Sequence, residues 1–366
     1  MAITPVSTSN GKSHPPSEPP ISTVPRDAQR IAVVVNGRAK NVTREVISTL
    51  DRILKGGDLF VSRSLDDARE IARTLVMGSY GTVLTGGGDG TFTVMVTEVV
   101  REARRAGRPV PRFGLLKLGT GNSLAWVVGA RGIHGEIGAD IEKLSLHAGS
   151  RSIRLVEVDG IISPFCGLGA DARVLSDYDW MKDKLSRTPL IKRVAAGPLS
   201  YGLAAATRSL PRELLRRATH CRIVNSGEEA FQMGPKGSVV RHPIARGEVL
   251  YDGPMRFTAI STIPYYGYGF RMFPYAEERP DRMHLRLTTM SPLEFLIHVR
   301  DIWRGSYEGS KSVFDFLVDA VTIELTPEVA FQIGGDSQGV RSRVEVRLSP
   351  TPIELVDMYA PPSIAP

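Results

Sequence analysis

The stretch that decides the fold is Thr85-Gly86-Gly87-Gly88-Asp89-Gly90-Thr91, which joins an apolar run to a helical segment. Three consecutive glycines let the backbone approach a ligand closely. The helix, predicted to begin near Thr91, directs unpaired N–H groups and its positive dipole end at the loop. The sequence therefore predicts a phosphate site, in which Asp89 holds Mg²⁺ or orients the phosphoryl group. The alternative is a tight turn without a ligand.

Two familiar phosphate-binding motifs do not fit this loop. A Rossmann fingerprint that starts at Gly86 needs a third glycine where Thr91 stands. A Walker A loop ends in Gly-Lys-Ser/Thr, and that tripeptide is missing at this loop. The loop therefore belongs to another class of nucleotide or phosphate site.

Short apolar runs alternate with helical patterns on both sides of the loop. The runs predicted to be strands are residues 31–35, 59–61, 82–85 and 113–118. The first helix is predicted from Val46, Ile47, Leu50, Ile53 and Leu54. Ser64 and Asp67 form a capping box for the second helix. This alternation predicts a parallel α/β sheet.

A second loop, Gly119-Thr120-Gly121-Asn122-Ser123, repeats the arrangement. It follows the fourth predicted strand and precedes the helical residues 124–128. Ligands of open α/β sheets bind outside the carboxyl ends of the strands. Together the two loops predict one nucleotide crevice.

The pattern changes near residue 150 to short alternating runs, which predict an antiparallel sheet or a β-sandwich. These runs are residues 152–158, 256–260, 283–287, 320–325 and 343–348. A basic helical insertion is predicted over about 177–217. Its charge suits an anionic membrane surface, although a solvated helix face is the alternative.

Composition narrows the class of protein. A hydrophobic fraction of 42% is enough for full cores, and no stretch has the roughly 18 apolar residues of a membrane span. Residues 1–25 resemble a disordered tail rather than a secretory signal. Two cysteines do not make a disulfide framework, so a cytoplasmic protein is expected. The net charge of +7 favours anionic partners.

The two loops resemble the paired motifs of the diacylglycerol kinase catalytic-domain family, which includes bacterial lipid kinases, sphingosine kinases and ceramide kinases. The resemblance extends in order over about residues 29–360. Its other segments are Asn36 in a first-strand loop, Ser62, Gly167-Leu168-Gly169-Ala170-Asp171-Ala172, Tyr268-Gly269 with Pro274-Tyr275-Ala276, and Ile333-Gly334-Gly335-Asp336-Ser337-Gln338.

The resemblance implies three regions: a disordered tail at 1–28, an ATP-binding α/β domain at 29–150 and a β-sandwich lipid domain at 151–366. The last segment is a candidate to return to the first domain. It also implies ATP and Mg²⁺ as cofactors. The residues implied to contact the nucleotide are Asn36, Ser62, Gly87, Gly88, Asp89, Gly90, Thr91, Phe92, Thr93, Gly119, Thr120, Gly121 and Asn122.

The resemblance maps the family's structural magnesium site to Glu278, Asp281 and Met283, of which the first and last would act through backbone carbonyls. It maps the catalytic acidic pair to Asp336 and Gln338. This chain departs from the family at several of these positions. Gln338 replaces a glutamate, and an amide cannot act as a base, so Asp336 is the candidate base. Other departures are Gly37 for proline, Ser123 for aspartate, Tyr275 for aspartate, Ser337 for glycine and Arg282 for glycine.

Some residues keep two interpretations. Lys117 either contacts a phosphate or lies at the sheet rim. The aromatic residues Tyr265, Tyr266, Tyr268, Phe270, Phe273 and Tyr275 either line a lipid pocket or fill the β core.

Three functions follow from the sequence. The first is a peripherally membrane-associated lipid kinase, whose acceptor is a diacylglycerol, sphingoid base or ceramide type of lipid. The second is a soluble kinase of the NAD kinase superfamily, and the third is a nucleotide- or lipid-binding protein with impaired catalysis. Nucleic acid is not expected as a partner, because the arginines and aromatics do not interleave. A homodimer is left open.

Overall fold

The computed structural model describes residues 30–39, 42–53, 58–119, 122–130, 149–169, 218–240, 243–266, 269–307 and 311–357. The predicted tail and the basic insertion at 177–217 lie outside these residues. So do Thr120, Gly121, Tyr268 and residues 170–172. Among the described residues, no helix combines the length and low charge of a membrane span.

Within the described residues, the first sheet has six strands in the order β2-β1-β3-β4-β17-β5. Strands β1 to β4 are parallel to one another, as the alternation of strands and helices predicts. The strands of this sheet are β1 (Ile31–Asn36), β2 (Leu59–Ser62), β3 (Thr82–Gly87), β4 (Arg112–Lys117), β5 (Ser150–Ile153) and β17 (Ile353–Val356).

In the described parts of the chain, four helices accompany this sheet: α1 (Arg44–Ile53), α2 (Leu65–Met77), α3 (Asp89–Ala106) and α4 (Ser123–Val128). Strand β1 is buried on both faces. Val33 and Val35 pack in the core with Leu50 of α1, whereas Ala32 and Val34 pack in the core that α2 and α3 share. Burial on both faces is why the strand is a continuous apolar run. The predicted capping box of α2 is present between Ser64 and Asp67.

The second sheet is large and antiparallel, with eleven strands in the described part of the chain. Its strands are β6 (Val156–Val158), β7 (Ile161–Ser163), β8 (Phe165–Gly169), β9 (Thr219–Asn225), β10 (Phe231–Met233), β11 (Val249–Met255), β12 (Phe257–Ser261), β13 (Met283–Thr288), β14 (Val313–Val318), β15 (Ala320–Ile333) and β16 (Asp336–Leu348). A fifth helix, α5 (Pro292–Arg304), was not predicted.

This second sheet folds over on itself. The long strand β15 pairs with β9 along its first half and with β8 along its last residues. Residues of β9 and β13, which are distant in the sheet, share one core, and Tyr251 of β11 lies 5.0 Å from Phe314 of β14 between ring centroids. One continuous sheet therefore supplies both faces of the predicted sandwich.

The segment that joins the two sheets differs from the sequence prediction. Residues 152–158 were predicted as one strand of the second sheet. The structure divides them between β5, which pairs with β17 in the first sheet, and β6, which pairs with β16 in the second. Buried Leu155 lies between the two strands. The alternating pattern continues across this division, so periodicity alone could not find it.

A buried charged cluster lies between β13 and β14. The Asp315 carboxylate accepts hydrogen bonds from Arg286 at 2.7 and 3.0 Å, and its Oδ1 lies 2.9 Å from Nε2 of His284. Burial alone raises the pKa of Asp315, but the Arg286 charge and His284 outweigh burial and lower it to about 2. Burial also lowers the pKa of His284, against the opposing effect of Asp315.

We expect Asp315→Asn to lower the free energy of unfolding by at least about 2 kcal/mol at pH 7. Folding lowers the pKa of Asp315. The ionised carboxylate therefore contributes fully to the free energy of unfolding above the pKa that Asp315 has in the unfolded chain, and this contribution is lost as the pH falls toward 2. The difference from the wild type should therefore narrow to about half at pH 3. Urea unfolding at both pH values measures this, with Asp159→Asn in an exposed turn as the control. A pH-independent difference would contradict the coupling.

Candidate nucleotide-binding cleft

The carboxyl ends of β1 to β4 lie side by side and bring the predicted nucleotide residues together. Asn36 and Ser62 are direct partners across β1 and β2. The Asn36 side chain donates a hydrogen bond to Thr91 Oγ1 at 3.1 Å, which links the first-strand loop to the glycine-rich loop. Ser62 Oγ donates to the Ser64 carbonyl at 3.2 Å. These side chains mark the rim of the expected crevice.

The two glycine loops touch through their backbones. A Cβ atom added at Gly119 would overlap the Gly88 backbone and lie 2.7 Å from the carbonyl carbon of Gly87. Asn122 adopts a left-handed conformation, and its side-chain amide donates to the Gly119 carbonyl. The predicted single crevice is therefore built on a direct contact of its two loops.

Asp89 holds the second loop in place. Its carboxylate accepts hydrogen bonds from the Ser123 backbone at 2.8 and 2.9 Å and from the Ser123 hydroxyl at 2.8 Å. The side chain is buried. Burial raises the pKa of Asp89, whereas these donors act in the opposite direction. This geometry does not fit the expected Mg²⁺ role of Asp89, because both oxygens face the start of α4.

Phe92 and Thr93 also have side-chain roles other than the implied nucleotide contact. Phe92 is buried against Phe113, with 5.7 Å between ring centroids. Thr93 Oγ1 donates to Ser163 Oγ at 3.1 Å, and Thr97 one turn later exchanges hydrogen bonds with the backbone of Ile162. Helix α3 thus carries the loop at its start and attaches to the second sheet along its side.

Asp336 reaches the loop from the second sheet. A Cβ atom added at Gly90 would lie 2.7 Å from Oδ2 of Asp336, so the carboxylate lies against the first turn of α3. The N-cap residue of α3 is Gly88, which has no side chain to cap the first-turn N–H groups. An exposed carboxylate and the positive end of a helix therefore meet at the cleft. Gln338, two residues later, is half-buried.

Gln332 positions the turn before Asp336, a role that was not predicted from the sequence. This fully buried side chain accepts a hydrogen bond from the Gly335 backbone at 2.8 Å and donates to the Tyr266 hydroxyl at 2.5 Å. Gly334 and Gly335 have positive φ angles of 59° and 89°, which favour glycine. The sequence showed the glycine pair of a turn after Gln332 but gave this glutamine no role.

The implied magnesium site at Glu278, Asp281 and Met283 does not fit the structure. Nη1 of Arg282 donates to the Asp281 carboxylate at 2.7 Å and to its carbonyl at 2.9 Å. Nε of Arg282 donates to the Glu229 carbonyl at 3.2 Å. Met283 is buried in β13 and Glu278 is exposed. The buried guanidinium supplies a positive charge where the resemblance implied a cation.

The structure shows the surroundings of Lys117 and of three of the aromatic residues that kept two interpretations. Lys117 lies over the Trp126 ring, with Nζ 4.7 Å from its centroid. Phe273 and Tyr275 are buried, and Tyr266 packs on Phe165 at 4.6 Å between ring centroids. These aromatic residues fill the β core.

The comparisons with known proteins agree with this architecture. Residues 30–158 match the family model described as "Diacylglycerol kinase catalytic domain", which confirms the resemblance for this part of the chain. A search of the curated proteins gave no match.

Solved structures extend the similarity of fold to almost the full chain. A diacylglycerol kinase from Bacillus anthracis str. Sterne is 12% identical, with 92% of this chain and 98% of that chain covered and a TM-score of 0.56. A second structure from that organism, which bears the same kinase label, is 13% identical over 92% of this chain and 99% of that chain, with a TM-score of 0.60. At these identities the structures support the fold alone.

We expect Gly119→Ala to separate the two loops, because its Cβ atom would meet backbone rather than a flexible side chain. The free energy of unfolding should fall by about 1–3 kcal/mol, and ATP affinity should fall by at least about tenfold. Calorimetry and urea unfolding measure the two effects. Gly107→Ala is the control, because its Cβ atom meets no neighbour and adds only left-handed strain. Equal ATP affinity in both variants would contradict the loop contact.

We expect Arg282→Met to lower the free energy of unfolding by about 2 kcal/mol, because it removes hydrogen bonds from a charged donor. The wild-type melting temperature should be the same in EDTA and in Mg²⁺. The control is Arg279→Met, which removes an exposed guanidinium stacked on Phe231. A clear fall of the wild-type melting temperature in EDTA would contradict the replacement of the cation by Arg282.

Proposed function

We propose that this chain, whose residues 30–158 match the diacylglycerol kinase catalytic domain model, is an ATP-dependent lipid kinase. It would transfer the γ-phosphate to a hydroxyl of a diacylglycerol, sphingoid base or ceramide type of lipid. The observation that carries the proposal is the contact of Asp336 with Gly90 across the two domains. It brings an acidic side chain to the loop that is expected to hold the phosphates.

Each part of the cleft has a task in this reaction. The first turn of α3, with glycine at its N-cap, offers N–H groups to the phosphates. Asn36 orients the Thr91 hydroxyl beside them. Mg²⁺ bound with ATP would neutralise phosphate charge. Asp336 would accept the proton that the lipid hydroxyl loses, and Gln338, two residues later in the same strand, would hydrogen-bond that hydroxyl.

Two observations support Asp336 as the base: its side chain is exposed, and the turn before it is held by a buried side chain. Its carboxylate is exposed at the cleft, whereas the Asp89 carboxylate is buried and bonded to Ser123. The turn before Asp336 is fixed by Gln332, so the carboxylate is held against Gly90. A positioned general base contributes about 10²–10⁴-fold to the rate.

We expect Asp336→Asn to lower turnover by about 10²–10⁴-fold while ATP affinity changes little. The assay follows labelled phosphate from ATP and Mg²⁺ into detergent-dispersed diacylglycerol, sphingosine, ceramide and monoacylglycerol, with NAD in parallel. Asp159→Asn is a matched control, since it makes the same exchange in an exposed turn of the same sheet. Asp89→Ala would be a poor control, because it dismantles the loops.

The outcomes separate the three functions. Label in one lipid, lost in Asp336→Asn but kept in Asp159→Asn, supports the kinase and names its acceptor. Label in NAD alone would overturn the lipid assignment in favour of a soluble kinase. ATP binding without transfer to any acceptor would favour a binding protein. Gln338, which stands in place of a glutamate, would then be the first residue to test as the cause of the lost activity.

A further inference from the structure

Helix α5 carries apolar side chains on the face that points away from the protein. Leu293 and Ile297, one turn apart, are 62% and 69% exposed. The opposite face buries Ile302 in a small core with Met290 and Val313. A surface helix ordinarily turns its apolar stripe toward the core and its polar residues outward. Two large aliphatic side chains on the outer face therefore indicate a binding surface.

Arginines continue the same outer face. Arg300 and Arg304 are exposed and follow Ile297 at helical spacings of three and four residues. Trp303, at their side, is 45% exposed. Leu293, Ile297, Arg300, Trp303 and Arg304 are referred to below as the α5 surface. It is aliphatic at the start of the helix, and at its end it carries two arginines and an indole beside the exposed Asp301.

An aromatic path joins the α5 surface to the cleft. The Trp303 ring stacks on Phe270, with 5.2 Å between centroids. A Cβ atom added at the neighbouring Gly269 would lie 3.2 Å from the ring of Trp126. Trp126 belongs to α4, the helix whose first residue is bonded to Asp89, and is 45% exposed. The α5 surface therefore continues to the loops of the candidate site.

We propose that the α5 surface docks on an anionic lipid bilayer and brings the cleft to the membrane. Leu293 and Ile297 enter the boundary of the acyl chains, Arg300 and Arg304 contact lipid phosphates, and Trp303 lies at headgroup depth. The inference rests on the proposed function, since a kinase for membrane lipids takes its acceptor from a bilayer. It places docking on α5 rather than on the predicted basic insertion.

Charge favours a bilayer over a second copy of this chain. A symmetric contact brings the same patch against itself, so the arginines of two copies would share one interface. Arg271, also exposed, lies beside Gly305 at the end of α5 and adds a third positive charge. The exposed Asp301 offsets one of these charges, and an anionic leaflet compensates the net positive charge that remains. Long arginine side chains reach phosphates while their stems stay in apolar surroundings.

Co-sedimentation with vesicles of phosphatidylcholine, alone or mixed with phosphatidylglycerol, tests the proposal on the full chain. We expect Leu293→Ser with Ile297→Ser to weaken binding to the mixed vesicles by about tenfold or more. Arg300→Gln with Arg304→Gln should weaken binding to the mixed vesicles by about 30-fold, with little effect on phosphatidylcholine alone. Leu65→Ser with Met77→Ser is the matched control, because these side chains are similarly exposed on α2 and should leave binding unchanged.

The readouts separate this inference from the proposed function. Vesicle binding needs no turnover, and phosphate transfer to a detergent-dispersed lipid needs no vesicle. Loss of binding by both α5 variants, with transfer to dispersed lipid kept, supports docking. Binding equal to that of the α2 control would overturn it. Concentration-dependent dimers on gel filtration that the Leu293→Ser with Ile297→Ser variant abolishes, with vesicle binding unchanged, would assign the surface to a second copy instead.

Discussion

The cleft depends on the buried hydrogen bonds between the Asp89 carboxylate and Ser123. They join the start of α3 to the start of α4, and so fix two loops that belong to different strands. The contact is close enough that Gly119 has no room for a side chain above Gly88. A buried carboxylate is tolerated only when donors satisfy it, and the second loop supplies those donors. The hydrogen bonds that satisfy the buried Asp89 carboxylate are therefore the same bonds that fix the shape of the two loops.

Helix α3 carries this constraint to the second domain. Its side attaches to β7 through Thr93 and Thr97, next to the turn where Gly334 packs against Thr93. The residue two positions after Gly334 is Asp336, so the attachment of the helix also places that carboxylate. A shift of α3 would therefore move the glycine-rich loop at its start together with the turn that carries Asp336. The domain contact therefore sets the geometry of the site as much as the glycines do.

The sequence was sufficient for whatever depends on local pattern. The apolar run at Ile31–Asn36, the capping box at Ser64 and the two glycine loops are local signals, and the first sheet follows from them. Local pattern could not predict the hydrogen-bond partner of an individual side chain. Asp89 next to glycines suggested a metal ligand, because nothing local shows that Ser123 satisfies it. Arg282 was seen only as a missing glycine, although its guanidinium bonds the carboxylate and carbonyl of Asp281, the implied metal ligand. Gln332 carried no motif at all.

Two carboxylates at the same helix terminus can therefore have different tasks. Asp89 and Asp336 both lie at the first turn of α3, where the helix dipole favours negative charge. Burial and the Ser123 donors commit Asp89 to the loops, and a group with both oxygens engaged is a poor proton acceptor. Asp336 is exposed and held by a turn that Gln332 braces, so it can exchange protons at the cleft. With Gln338 unable to act as a base, Asp336 is the residue to which the proposed kinase reaction assigns proton transfer.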